Sequence, residues 1–374
     1  MHQKGCLMKR LSTIGGYEFF AIQMLYSGAS AGFIYPSFIV RSTEGAYWIP
    51  ITIWVACAIF SSWIYSRLLI RLNGELLLRR IHASIGLFWT CLICLPVLLF
   101  FLTALVIMLR AYSEVITMTM LPTTPISFLN GMLIAPAALA LAGIMPIVRA
   151  ARVFFLLTLL LTVLLLIVGL SDVHWTLGAP WIRTNGDFFY DKRFYAGSFM
   201  WMGFVITSFI GPYTRQSARS AISSYTVAIL CTLPLIAGYI YLPVLTFGRD
   251  LSKRLTVPFI SKMDSVSHYW ILFENLTAIF VSVTMFYILV IMALKMHAIG
   301  EMFSTLMPRA NRPVIYAVAL LAVYTAATML TSWREIESIT IVTIGIRLYV
   351  MFVFPLLGML ALAYGRRAGK EEGI

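Results

Sequence analysis

Charge is what this sequence has little of. Asp, Glu, Lys and Arg together make up 11% of its 374 residues, against about 25% in an ordinary soluble domain. So few polar residues cannot cover a water-facing surface, and a soluble globular fold is excluded. Cysteine is scarce and odd in number: Cys6, Cys57, Cys91, Cys94 and Cys231 form no disulfide framework, and the lone C-x-x-C at Cys91 and Cys94 has no second pair for a zinc site. The five histidines show no ligand spacing. No phosphate-binding glycine loop, no Ser–His–Asp signature and no basic–aromatic nucleic-acid pattern is present. Neither an enzyme nor a resident metal is expected.

Apolar residues, at 60%, fill the gap. A helix crossing about 30 Å of hydrocarbon needs about 20 of them in a row. Such runs fall near 15–40, 47–70, 87–109, 126–147, 153–170, 194–213, 221–247, 270–293, 314–331 and 339–364. They are continuous rather than alternating, which excludes a β-barrel. The fold class read from them is an all-α polytopic membrane protein of about ten transmembrane helices, one integral membrane domain over residues 1–374. The first run is too long for a cleaved signal segment and is read as a retained helix.

The few charges sit unevenly. With the N-terminus inside, the inner segments collect seventeen Lys and Arg and the outer ones ten; the positive-inside rule then places both termini in the cytoplasm. The net charge of +13 is thereby read as membrane orientation and contact with lipid headgroups, and no nucleic-acid partner is expected. The inner connection 71–85 carries Leu76, Leu77, Leu78 and Ile81 among Arg and Glu, a pattern for a short helix at the interface.

Two spans are poor helices. The first contains Ser27-Gly28-Ala29-Ser30-Ala31-Gly32 followed by Pro36, and the sixth contains Gly203, Thr207 and Ser208 before Gly211-Pro212. Gly costs about 1 kcal/mol and Pro about 3 kcal/mol in a helix interior. In lipid, unwound backbone is tolerated only where it lines an enclosed cavity; close packing through small residues is the other reading of such a run. Spans one and six are equivalent if ten helices form two halves of five, residues 11–170 and 194–364, and an odd number makes the halves inverted. Ser27, Gly28, Ala29, Ser30, Gly32, Gly203, Thr207 and Ser208 are therefore the candidate substrate-binding residues. Charges or hydroxyls inside the membrane add Glu274, Arg347, Ser282 and Thr284 as candidate coupling or gating residues, Ser282 and Thr284 as oxygen donors for sodium. Glu274 is a candidate partner for Arg347.

Several stretches, in order, resemble one family. Leu11-Ser12 with Gln23 and the small-residue run, Ala46-Tyr47-Trp48-Ile49 entering span two, Leu121-Pro122-Thr123-Thr124-Pro125 before span four, and Val257-Pro258-Phe259-Ile260 before span eight are similar to the endospore germination permeases, the B-subunits of spore germinant receptors within the amino acid–polyamine–organocation superfamily. The likeness runs from about Leu11 to Arg366. It departs from the family where Asn275 and Thr277 replace an Arg-x-Glu pattern. The resemblance implies a LeuT-like five-plus-five inverted repeat with helices one and six interrupted. It also implies recognition of an amino acid-like germinant in the spore inner membrane, with A- and C-type subunits as partners. No cofactor is implied, and sodium or proton coupling stays open. A proton- or sodium-coupled amino-acid transporter is the alternative.

Overall fold

The computed structural model describes residues 14–72, 74–210, 213–214, 218–266 and 276–371. Among them every regular element is helical, with one isolated bridge between Ile14 and Thr214. Seven helices are long and apolar enough to cross a membrane. The first, fourth and sixth expected spans are missing from that number because each is built in pieces.

The first span is α1 (Gly16–Ala31) and α2 (Ile34–Ser42), parted at Gly32 and Phe33. The small-residue run is helical up to Ala31; only its end unwinds, Phe33 lying at φ −113°, ψ −86°. Pro36 explains the position. It has no N–H to offer the Gly32 carbonyl, and as the third residue of a new helix it needs none. α3 (Trp48–Arg71) follows. α4 (Leu77–Thr119) is two helices joined at Gly86, whose φ of 78° suits glycine alone. Its short leading part is the amphipathic segment expected at the interface; Leu77, Leu78 and Ile81 are buried while Arg79 and Arg80 are exposed. That apolar face packs on the protein, Leu77 lying against Gly358.

The fourth span is α5 (Ile126–Asn130), a 3-10 turn, and α6 (Ile134–Leu141). α7 (Ile144–Gly169) follows a left-handed Gly143. The sixth span begins with α8 (Lys192–Ala196), continues as a ten-residue 3-10 stretch Gly197–Ile206 kinked at Met202, and ends as α9 (Thr207–Ile210). Runs of 3-10 helix that long are uncommon. Gly211 and Pro212 lie outside the described residues. Then come α10 (Ala218–Phe247), the short α11 (Arg249–Arg254) and α12 (Pro258–Ser265), α13 (Leu276–Leu306) and α14 (Arg312–Met329).

The last span departs from the continuous helix expected at 339–364. It is α15 (Trp333–Val342), a break at Thr343, α16 (Ile344–Leu348), a π turn at Tyr349–Val353, and α17 (Phe354–Glu371). Pro355 is the cause of the π turn, since it cannot bond the Met351 carbonyl and its ring crowds it. Span two supplies replacements: Ser61 Oγ donates to Met351 O at 2.8 Å and Tyr65 Oη to Val350 O at 2.6 Å. Replacing Tyr65 with Phe strands a buried carbonyl, and a loss of about 1–3 kcal/mol is expected, read as a lower thermal midpoint in detergent.

Candidate functional site

The break of the first span opens onto a cavity of about 50 Å³. α1 contributes Tyr26, Ala29 and Ser30, and the break itself Phe33 and Ile34. α4 adds an apolar wall with Thr103 and Met108, the 3-10 stretch adds Phe199, and α13 adds Ile288 and Lys295. The broken last span closes it with Thr340, Thr343 and Arg347. Interruptions in three spans thus converge on one space, where irregular backbone in a membrane protein belongs.

The lining carries two basic side chains and no carboxylate among the described residues. Lys295 is 2% exposed and Arg347 3%. The Lys295 ammonium lies 3.0 Å from the Met108 sulfur and 5.0 Å above the Tyr26 ring. Arg347 donates to the Thr340 carbonyl and stands 5.9 Å from the Phe199 ring centre, and its Nε–H has no partner. Arg347 was a candidate from sequence; Glu274, its candidate partner, lies outside the described residues. Lys295 was not a candidate. The apolar run of span eight ends near Ala293 by hydropathy, which puts Lys295 in the inner connection, but α13 continues to Leu306 and takes it into the core. Arg110, at the end of the apolar run 87–109, is likewise buried inside α4, paired with Glu114 and donating to Leu330 O at 2.8 Å.

The other sequence candidates divide. Ala29 and Ser30 line the cavity. Ser27 does not: it donates to Met200 O at 3.4 Å and accepts from Gln23 Nε2 at 3.2 Å, tying span one to span six. The glycines make helix contacts. A Cβ on Gly28 would lie 2.8 Å from the Tyr287 ring, on Gly32 2.4 Å from Phe280, and on Gly203 2.5 Å from Gln23 Oε1. Close packing and an unwound break, the two readings of that run, are thus both present, one after the other. Thr207 donates to the Phe204 carbonyl within its own span, and the Ser208 hydroxyl is buried without a partner.

Ser282 and Thr284 are not brought together. Ser282 is exposed on a separate groove of about 930 Å³ between α4, α5, α6, α13 and α14. Thr284 is buried and returns its proton to Phe280 O and Val281 O, both at 3.0 Å. The rings of Phe280 and Tyr287 occupy the contact between span one and α13 at Gly32 and Gly28. A hard cation at that contact would need oxygens where these rings stand.

Ion pairs lie at both ends of the bundle around the cavity. At the amino-terminal end, Glu18 accepts from Gly15 N at 2.8 Å and pairs with Arg152 of α7, while Glu301 of α13 pairs with Arg312 of α14 at 3.1 Å. At the opposite end, Arg41 of α2 grips Glu337 of α15 with one nitrogen at 2.8 and 3.1 Å. Arg41 also donates to Lys253 O at 2.9 Å and Leu255 O at 3.2 Å, and Trp333 Nε1 steadies Glu337 at 3.1 Å. On that same face Lys262 donates to Ser171 O at 2.8 Å; burial pulls its ammonium below the usual lysine range, and Asp172 opposes the shift. The four free cysteines among the described residues, Cys57, Cys91, Cys94 and Cys231, lie away from the cavity.

Comparison with known proteins agrees with this architecture. A Na+-coupled sialic acid symporter, solved in a substrate-bound outward-open state, is similar in fold, with a TM-score of 0.66 and 11% identity over 92% of this chain and 80% of that one. No curated protein matches the sequence. The family model described as spore germination protein matches residues 16–338. Together with the helical membrane architecture and its LeuT-type fold, that match identifies the chain as a member of the spore germination permease family.

Proposed function

We propose that this protein is a germinant receptor B-subunit. It binds a small nutrient carrying a carboxylate in the cavity at the break of span one and signals the binding to A- and C-type partner subunits. Its ten spans are two inverted halves, residues 11–170 and 194–364, with both termini on the cytoplasmic side of the spore inner membrane. The observation that carries the reading is the cavity where three interrupted spans meet, with Lys295 and Arg347 buried in its wall. A ligand there moves the bundle only by binding one arrangement better than another. Breaks in spans one, six and ten are the places where such arrangements differ most easily. Amino acids, the class the family resemblance suggests, meet the requirement for a carboxylate.

The test is to fill the cavity without disturbing the helix contacts. Ala29 lines it from α1, and Ala29→Leu places three further carbons there. Spores carrying this variant are expected to need at least about a hundredfold more nutrient for half-maximal germination, a loss of about 2.7 kcal/mol in binding, with unchanged subunit level and normal germination through other receptors. An unaltered response would remove the cavity from the mechanism.

Coupled amino-acid transport is the second reading, favoured by the fold shared with a Na+-coupled symporter. Concentrative uptake of labelled amino acid by proteoliposomes holding this chain alone would establish it; binding without uptake favours the receptor.

A further inference from the structure

The cavity is unlike most other places where the described residues bury charge. Arg110 has Glu114, Glu18 has Arg152, Glu301 has Arg312 and Arg41 has Glu337. Lys295 and Arg347, both more than nine-tenths buried, face one cavity whose described lining holds no acid. Their surroundings do not use up their donors. Lys295 has a thioether sulfur, a weak acceptor, and Arg347 has one carbonyl and an idle Nε–H. Three threonine hydroxyls of the lining have committed their protons to their own helices, Thr103 to Leu99 O at 2.7 Å, Thr340 to Ile336 O at 2.7 Å and Thr343 to Ile339 O at 2.7 Å. What the site lacks is negative charge.

We propose that the cavity recognises a compact carboxylate that brings no ammonium group of its own, such as a short 2-hydroxy acid, in preference to the zwitterionic amino acid of the same shape. This rests on the cavity being the ligand site and narrows what it takes. A carboxylate accepts from the Arg347 guanidinium and from the Lys295 ammonium, a directional donor and a point charge acting together. An amino acid offers the same carboxylate but adds a third cation, and like charges repel strongly where water is excluded. A hydroxyl in its place is neutral and adds no charge beside that pair. Size points the same way. One water needs about 10–15 Å³ of such space, so about 50 Å³ suits a ligand of few heavy atoms.

L-lactate and L-alanine make the comparison, sharing a carbon skeleton and differing in hydroxyl against ammonium; lactamide controls for the carboxylate. The full chain in detergent is titrated with each, and the rise in thermal midpoint reads binding. Lactate is expected to act at a concentration about tenfold or more below alanine, a difference of about 1.4 kcal/mol, with lactamide inert. Lys295→Met is expected to raise the lactate requirement about tenfold or more and to erase the preference over alanine. Arg347→Gln reads the same effect should the first variant fold poorly. Alanine binding as well as lactate, with both lost in Ala29→Leu, overturns the charge inference and leaves the cavity as the ligand site. No shift with either compound also overturns it, and the germination phenotype of Ala29→Leu then judges the broader reading separately.

Discussion

Gly203→Ala is expected to cost the protein most of its folded yield, although it adds a single methyl group. The new Cβ would lie 2.5 Å from Gln23 Oε1 and 3.0 Å from Tyr26 Cβ. The amide could swing away only by giving up what it does now, since Gln23 Nε2 donates to Ser27 Oγ at 3.2 Å and approaches Trp201 O at 3.5 Å. Tyr26 Cβ is fixed by its own backbone and cannot yield. Overpacking of this kind costs about 1–3 kcal/mol. Each buried polar group left unpaired adds about 1–3 kcal/mol. Against a total stability of about 5–15 kcal/mol the sum is severe. Thermal unfolding and the yield of monodisperse protein in detergent measure it. Gly345→Ala is the control: nothing lies within 4 Å of its added Cβ, and a helical Gly→Ala exchange is expected to stabilise by about 0.5–1 kcal/mol. Shortening the obstruction with Gln23→Ala should partly rescue Gly203→Ala. If the two glycine variants behave alike, the close approach of spans one and six is wrong.

The same residues show what the sequence made legible. Hydrophobic runs announce spans because the bilayer sets their length, and the helix-weak runs in spans one and six were readable from glycine and proline. Where a run would unwind was not readable. Ser27 to Ala31 are small like Gly32, yet they stay helical where Met200 and Tyr287 pack on them, long-range contacts that no local pattern encodes. The π turn before Pro355 was hidden for a related reason: one proline in an apolar run reads as a kink, and the side chains that accommodate it, Ser61 and Tyr65, lie 290 and 285 residues from their acceptors. Lys295 was lost to a boundary. Hydropathy ends a span at the first charge past the apolar run, whereas a 31-residue helix carries that charge inward. An amphiphilic residue inside such a run is therefore better assigned after asking how far the helix propensity continues, and Met296 to Leu306 continue it.

Arg41→Ala is expected to open the cavity from the face opposite the amino terminus. Arg41 is the joint of three elements there. Its guanidinium holds Glu337 on α15 and two carbonyls at the end of α11, Lys253 and Leu255, while its own backbone ends α2, the helix that begins at the cavity with Ile34. The pair is only partly exposed, 20% and 15% for the two side chains, so its geometry rather than solvent governs its strength. Contacting charged partners couple by about 0.5–3 kcal/mol. Each 1.4 kcal/mol withdrawn from a closed arrangement raises the open fraction about tenfold. Ser30, in the cavity wall, supplies the reporter: in a background freed of native cysteines, Ser30→Cys is exposed to a membrane-impermeant thiol reagent added on that face. Its modification rate is expected to rise about tenfold or more in Arg41→Ala and equally in Glu337→Gln, with no further increase when both are changed. Arg152→Ala, which breaks the pair with Glu18 at the other end, should leave the rate from this face unchanged. Additive effects of the first two, or an equal response to the third, would mean that Arg41 and Glu337 tie down loops without closing the path to Lys295 and Arg347.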